Sequence, residues 1–380
     1  MTTQNIIKKT FLDIATGLES GSFGGRPKIA VTGIGSEHGE QNILDGAISA
    51  AARGVDVTYI GTLSHPSLTC VHADSEETVH AQMETLLSSG EVQGAVTMHY
   101  PFPVGVSTVG RVATPATGRE MFIACTTGMA STNRAECMVK NALYGIIAAK
   151  SCGIANPTVG ILNIDGARTA EGLLRQLAQG GYDITFASSG RSDGGCVMRG
   201  NDALTGACDV LVTDSLTGNI LMKMLSAFTT GGGYESTGYG YGPGIGGERL
   251  VNIISRASGS PVVARAIVYA ADLARGDWNA ITKAELATAN KAGLAKILES
   301  TKKSDTPQSA APAAAPPKEV VTKEINGIEV TELDDAVAAL WAVGIYAESG
   351  MGCTGPIVLV SEANLEKARE VMVAGKYAGN

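Results

Sequence analysis

A chain of 380 residues, 44% hydrophobic and 17% charged, has material for a sizeable core and for about two domains. That excludes a disordered chain and a small disulfide scaffold. Its 29 basic and 37 acidic residues leave a net charge of −8, which argues against a general nucleic-acid or membrane-surface partner.

No run approaches the roughly 18 apolar residues of a membrane helix. The N-terminal stretch carries neither the apolar core nor the cleavage site of a signal peptide. Seven cysteines, an odd number, are scattered with no CxxC or HExxH pattern. This argues against disulfides and structural zinc, so the expectation is a cytoplasmic protein with reduced thiols and no metal.

From residue 28 onward, short β-rich runs alternate with helical stretches. KIAVTGIG, VDVTYIG, GAVTM, PTVGILNI, YDITFA and DVLVTD read as strands bounded by glycine or aspartate. Residues 41–54, 76–90, 132–151, 170–180 and 218–228 read as helices, the second opened by a capping box of Asp74 and Glu77. The alternation predicts an α/β body with a doubly wound, mostly parallel sheet covered on both faces, its ligands at the carboxyl ends of the strands.

The composition then breaks. Ser304–Pro317 packs five alanines and four prolines into 14 residues, the makeup of a semi-rigid extended tether reaching about 40 Å. The expected organisation is a body over 1–300, a linker over 304–317 and a small α/β module over 320–380. The module reads as a strand at 327–331, a helix at 333–343, a Gly-rich turn, a strand at 356–361 and a helix at 362–374.

Four segments carry candidate chemistry. Gly33–Gly39 is a glycine turn after the first strand, but its GxGxxxG spacing and the lack of an acid after the next strand fit a nicotinamide site poorly. In DVLVTDSLTGNILMK, a Gly218-Asn219 turn is expected to open a helix, with Lys223 one turn in. Free amides at a helix start suit an anion such as phosphate. Thr229–Gly247 holds nine glycines in 19 residues, suited to an anion-binding nest or a moving loop. It leads to Ser255-Arg256, where an arginine fork suits phosphate.

In the module, Glu348-Ser-Gly-Met-Gly352-Cys353-Thr354-Gly355 places a cysteine among glycines, between helix and strand. A thiolate there can accept an acyl group, with the amides around Gly352 and Thr354 available to an oxyanion. Cys137, Cys152 and Cys208 sit on apolar segments and read as packing residues, while Cys125 and Cys196 stay undecided.

The run GMASTNRAECMVKNALYGIIAAKSCGIANPTVGILNIDGA, followed by DVLVTDSLTGNILMK, resembles the PlsX-type phosphate acyltransferases over about residues 29–275. That family makes acyl phosphate from an acyl thioester and phosphate. The opening TGIGSEHGE and the helix SRASGSPVVARAIVYA carry the resemblance further. Gly218-Asn219 with Lys223, and Ser255-Arg256, are also similar to the phosphotransacetylases. The chain as a whole, including the tether and GIYAESGMGCTGPIVLVSEANLEKA, resembles the component C alpha subunits of glycine/sarcosine/betaine reductase complexes.

Together these resemblances imply a PlsX/phosphotransacetylase-like fold related to isopropylmalate dehydrogenase. They imply formation of acetyl phosphate from an acetyl thioester and phosphate without a cofactor, and an active-site thiol at Cys353. The implied partner is a ketoacyl-synthase-like beta subunit, in a homo- or hetero-oligomer. A nicotinamide-dependent dehydrogenase of related fold and a non-catalytic docking subunit remain alternatives, separable by bound nucleotide and by acetyl phosphate turnover.

Limited proteolysis is expected to cut first within 304–317 or at its flanking lysines, leaving a stable body and a small fragment. First cuts inside 229–247 count against that organisation.

Overall fold

The computed structural model describes residues 11, 14–15, 17–18, 26–100, 105–131, 133–191, 195–229, 239–242, 249–301, 314–328, 332–352, 355–375 and 377. The chain forms two compact units. One comprises Met1–Thr132, Lys140–Leu162 and Asp183–Thr288, and the other Asn133–Val139, Asn163–Tyr182 and Ala289–Asn380.

In chain order the elements begin β1 Lys28–Thr32, α1 Glu40–Ala51, β2 Asp56–Gly61, β3 Thr69–His72, α2 Glu76–Ser89 and β4 Gly94–Thr97. Next come β5 Val106–Ala113, β6 Glu120–Met129, α3 Arg134–Ser151, β7 Thr158–Leu162, α4 Ala167–Gln179, β8 Thr185–Phe186, β9 Val197–Met198 and α5 Gly200–Thr205. β10 Val210–Val212, α6 Ser215–Thr229, β11 Tyr239–Gly242, β12 Val251–Ile253, α7 Ser260–Arg275, α8 Trp278–Lys291 and α9 Leu294–Glu299 follow. The C-terminal part adds β13 Lys323–Asn326, α10 Leu333–Ala342, β14 Ala347–Gly352, β15 Gly355–Val360 and α11 Leu365–Ala374.

The parallel strands fall into two sheets rather than one. The first has the order β12-β4-β1-β2-β3 and is parallel throughout. Its central strand KIAVT is buried on both faces. Ile29 and Val31 pack with α1 and α7 through Ile43, Ala47, Val263 and Ile267, while Ala30 packs with Val79 and Met83 of α2. This two-sided burial is why the run is continuously apolar rather than alternating. α2 starts one residue later than Asp74 and Glu77 imply: Ser75 and Thr78 form the capping box, each side chain accepting from the other's backbone amide.

The second sheet runs β11-β5-β6-β10-β7-β8, with β9 also beside β7. β6, β10, β7, β8 and β9 are parallel, whereas β5 and β11 add an antiparallel edge. α6 covers one face, with Met222 and Leu225 among Val112, Met121, Ile123 and Leu211. α3 closes on the other face at Gly145, where a Cβ would lie 2.3 Å from Val210.

Within the second unit, β13, β15 and β14 form an antiparallel sheet. Ile325, Ile328, Ala336, Leu340, Val358, Val360, Ala368 and Met372 form a hydrophobic core with it, drawn from the C-terminal residues alone. Two readings change here. The first strand lies at 323–326, with 329–331 outside the described residues, and the expected Gly-rich turn is largely the strand β14.

Asp209 ties β10 to β7. Its carboxylate accepts from the Thr158 amide at 2.8 Å and hydroxyl at 2.6 Å, and pairs with Arg119. Burial pushes its pKa up, but the Thr158 and Arg119 bonds prevail and hold it below the ordinary aspartate value. A depressed carboxylate contributes stability above its unfolded pKa and loses it as pH falls through that value toward the folded one. Acid titration of unfolding is therefore expected to begin at higher stability in the wild type than in Asp209→Asn. The two curves should converge at the acid end.

Candidate active site

The expected phosphate residues follow strands at the carboxyl ends of the two larger sheets, where an α/β fold leaves its loops free. β10 delivers the chain to Thr213 and Asp214. Asp214 caps α6, accepting from the Thr217 amide at 2.9 Å and the Thr217 hydroxyl at 2.8 Å. The helix therefore starts at Ser215, and Gly218-Asn219 lies inside its first turn instead of opening it. The carboxylate of Asp214 already meets the positive end of the helix.

Gly218 has a different reason to be glycine. A Cβ there would lie 1.8 Å from the Cys125 carbonyl oxygen, so the helix backbone rests directly on β6. That approach lets Asn219 Nδ2 donate to the Thr126 carbonyl at 3.1 Å. Lys223 follows one turn later on the same helix, half-buried.

Around this contact lies a buried polar layer that the sequence reading missed. Ser107 donates to Asn141 Oδ1 at 2.8 Å, and Asn141 Nδ2 donates to the Thr213 carbonyl at 3.1 Å. The hydroxyls of Thr108 and Thr126 are 2.8 Å apart. The Thr213 hydroxyl is buried without a hydrogen-bond partner. The signal available was Asn141, an amide directly before the apolar stretch ALYGIIAA of α3; burial obliges such a group to find partners.

Ser255 and Arg256 follow β12 at the carboxyl edge of the first sheet. The edge is a switch point, because α1 leaves β1 on one face and α2 enters β4 from the other. Arg256 is engaged there by Glu76, the first residue of α2, through both fork nitrogens at 2.8 and 2.9 Å. One nitrogen also donates to the Gly35 carbonyl at 3.2 Å. Ser255 Oγ accepts from the Ala257 amide at 3.2 Å, and His38 Nε2 donates to the Ala257 carbonyl at 3.0 Å.

The Arg256 hydrogen bonds and charge hold the Glu76 carboxyl below its ordinary range, with His80 and His99 adding to the effect. Burial, then the charge of His99, lowers His80. Any phosphate recognised by Arg256 has to replace a carboxylate that already matches the guanidinium geometry.

The expected phosphate set is thus divided: Gly218, Asn219 and Lys223 belong to the second sheet, Ser255 and Arg256 to the first. Gly352 ends β14 and is paired with Gly355 of β15. Cys353 and Thr354 between them lie outside the described residues, as does most of 229–247. Of that Gly-rich segment, Thr229 ends α6 and Tyr239–Gly242 forms the antiparallel strand β11.

Among the other thiols, burial pushes Cys152 and Cys208 up to about 12, which keeps both protonated near neutrality and fits a packing role. Cys125 and Cys196 are buried, Cys137 is half-buried and Cys70 is exposed. Among the described residues no group of three or more His, Cys, Asp or Glu side chains is placed to hold a metal ion. No described helix is long and apolar enough to cross a membrane.

Residues 27–359 match the family described as "Fatty acid synthesis protein". The component C alpha subunit of the glycine/sarcosine/betaine reductase complex of Peptoclostridium acidaminophilum is 56% identical over 377 residues, 97% of each chain. The chain belongs to this fatty acid synthesis protein family, alongside the component C alpha subunits. A phosphate acyltransferase of Geobacillus sp. is 27% identical over 245 residues, covering 52% of this chain and 70% of its own. The branched-chain phosphotransacylase of Enterococcus faecalis superposes with a TM-score of 0.45 at 15% identity, over 65% of this chain and 99% of that one.

The Arg256–Glu76 pair makes a direct test of the anion site. Glu76→Gln removes the competing charge from a solvent-exposed pair, and is expected to lower the phosphate concentration for half-saturation about two- to tenfold. Arg256→Ala should raise it about ten- to a hundredfold. Phosphate titrations that move in neither variant place the anion elsewhere.

Proposed function

We propose that the chain is an acyltransferase that converts an enzyme-bound acetyl thioester and phosphate into acetyl phosphate, as the alpha subunit of a glycine, sarcosine or betaine reductase complex. The observation that carries this is the 56% identity with the Peptoclostridium component C alpha subunit over 97% of both chains, a match that includes the C-terminal module. The weaker likeness to phosphate acyltransferases covers 52% of the chain and supports acyl-phosphate formation as the reaction type.

In this reading the partner is a ketoacyl-synthase-like beta subunit presenting the acetyl group as a thioester. The Cys353 thiolate attacks the carbonyl carbon, and the tetrahedral oxyanion is met by amides around Gly352 and Thr354. One such donor is typically worth about 3 kcal/mol. Collapse expels the partner thiolate and leaves acetyl-Cys353. A phosphate oxygen then attacks the same carbon, the Cys353 thiolate leaves, and acetyl phosphate is released. Lys223 of the second sheet's helix and Arg256, which follows Ser255 at the first sheet, supply the positive charge that holds phosphate. Thiolates suit both half-reactions because they are nucleophilic and depart readily.

The test is arsenate-dependent hydrolysis of acetyl phosphate by the purified chain. The wild type is expected to turn over without a partner or added cofactor, since arsenate replaces phosphate and the mixed anhydride it forms, acetyl arsenate, hydrolyses spontaneously. Cys353→Ala should abolish the reaction, whereas Cys208→Ala and Cys152→Ala should keep most of it. Labelled acetyl phosphate should leave its acetyl group on the peptide containing Cys353. Full activity in Cys353→Ala, with no adduct, replaces the covalent route by direct attack of phosphate on the partner's thioester.

A further inference from the structure

Two histidines stand beside the Arg256–Glu76 pair. His80 lies one helical turn after Glu76 on α2, at the i, i+4 spacing that puts two side chains on one face. His99 follows β4 at the carboxyl edge of the same sheet. The two rings meet edge to face with their centroids 6.3 Å apart, His80 half-buried and His99 exposed. The space over the ion pair is kept by a glycine. Gly35 has φ +112°, and a Cβ there would come within 3.2 Å of an Arg256 nitrogen and 3.5 Å of a Glu76 oxygen.

We propose that His80 and His99 couple anion binding at Arg256 to proton uptake. An anion that takes the guanidinium displaces Glu76, and the freed carboxylate, one turn from His80, stabilises an imidazolium. One proton passes from solvent to a ring nitrogen of the pair, and that N–H bond is the only covalent change. This coupling rests on Arg256 being the phosphate ligand of the proposed reaction.

The charges already present set the direction. In the resting site Glu76 answers Arg256. Burial, then the charge of His99, holds His80 below the ordinary imidazole value of 6.5; Glu76 opposes them and Arg256 adds to them. Exchange reverses that balance, because the bound anion neutralises Arg256 and Glu76 turns its charge to the histidines. A second proton is resisted, since two imidazolium rings at this separation repel each other.

The other groups nearby are less able to take this part. Glu84, one turn beyond His80, pairs with Arg249 and accepts from the Tyr100 hydroxyl at 2.8 Å. Asp74 accepts from the Thr78 hydroxyl at 3.4 Å, and the exposed Glu77 lies about 100° round the helix from Glu76. From the loop after β1, Glu37 adds negative charge near Arg256, and the His38 ring is held by the Ala257 carbonyl. The strands under α2 meet it with Ala30, Ile60 and Ala95, none of which titrates. Glu76 is therefore the carboxylate that an anion at Arg256 sets free.

A group whose pKa rises on binding makes affinity grow as pH falls from its bound value to its free one, and leaves it flat outside that window. The lower end of the window lies below 6.5, where free His80 is held.

The test titrates the full chain with sulfate, which keeps its charge where phosphate itself gains a proton. Calorimetry runs from about pH 5 to about pH 8 in buffers of different ionisation enthalpy. The wild type is expected to bind about three- to tenfold more tightly at the acid end and to take up as much as about one proton within the window. Imidazole NMR should show the His80 midpoint rise when sulfate is added. His99→Gln should keep the coupling and raise the midpoint of free His80, because a neighbouring charge is gone. Glu76→Gln, and His80→Gln combined with His99→Gln, should bind sulfate without proton uptake.

A sulfate affinity independent of pH, or a His80 midpoint unmoved by sulfate, overturns the coupling and leaves the phosphate role of Arg256 standing. Undiminished uptake in Glu76→Gln or in the double histidine variant also overturns it, by placing the proton elsewhere. Sulfate binding indifferent to Arg256→Ala overturns both the coupling and that role. Should a variant fail to fold, the wild-type imidazole titration decides by itself.

Discussion

The second sheet is organised around one backbone contact, the approach of α6 to β6 at Gly218. A Cβ at that position would lie 1.8 Å from the Cys125 carbonyl oxygen, so any side chain forces the helix outward. With the helix seated, Asn219 reaches the Thr126 carbonyl and Met222 fills the space over Gly110. Other buried polar groups of the layer find partners through Ser107, Asn141 and Thr108. The contact also decides which face of α6 looks outward. Seating Gly218 and Met222 inward leaves Leu216, Ile220, Met224 and Phe228 exposed.

Electrostatics at the two sheet edges follow a common rule: positions that attract anions already hold carboxylates of the chain. Asp214 meets the positive end of α6, and Glu76 fills the fork of Arg256. An anion that bound at Arg256 would have to exchange with Glu76, and its free energy would be the difference between two charge-assisted sets of hydrogen bonds. The Arg256–Glu76 pair lies in solvent, with side-chain exposures of 41 and 50%. Exposed pairs are weak, so the exchange costs little. A buried pair would make the same exchange prohibitive, because one partner would be left unpaired in a low-dielectric site.

The parallel framework was legible because its strands are apolar on both faces and are punctuated by glycine and aspartate. β1, β2, β4, β7, β8 and β10 all lie within the runs read as strands. β5 and β6 were not read, since RVATPATGRE supplies turn chemistry while the flanking runs mix threonine and glycine with apolar residues. Their pairing depends on a neighbour more than on local pattern. The start of α6 was misread because Asp214 and Ser215 are as good a helix opening as a Gly-Asn pair, and the glycine answers to a tertiary contact. In the module, glycines at 350 and 352 suggested a turn, but β15 provides the hydrogen-bond partners that make the segment a strand.

The sequence by itself determined the α/β class, the placement of the helices over the parallel framework and the family, because local periodicity and the chemistry of turns are written residue by residue. It also marked Cys152 and Cys208 as packing residues, and burial raises both thiols. Tertiary structure alone decided that the parallel strands divide into two sheets, and that Gly218 is a contact and not a turn. It also decided that Arg256 is held by a glutamate 180 positions away. The reason is physical: close approach, burial and charge pairing are properties of residues brought together by the fold, and no local stretch of chain records which distant group will arrive.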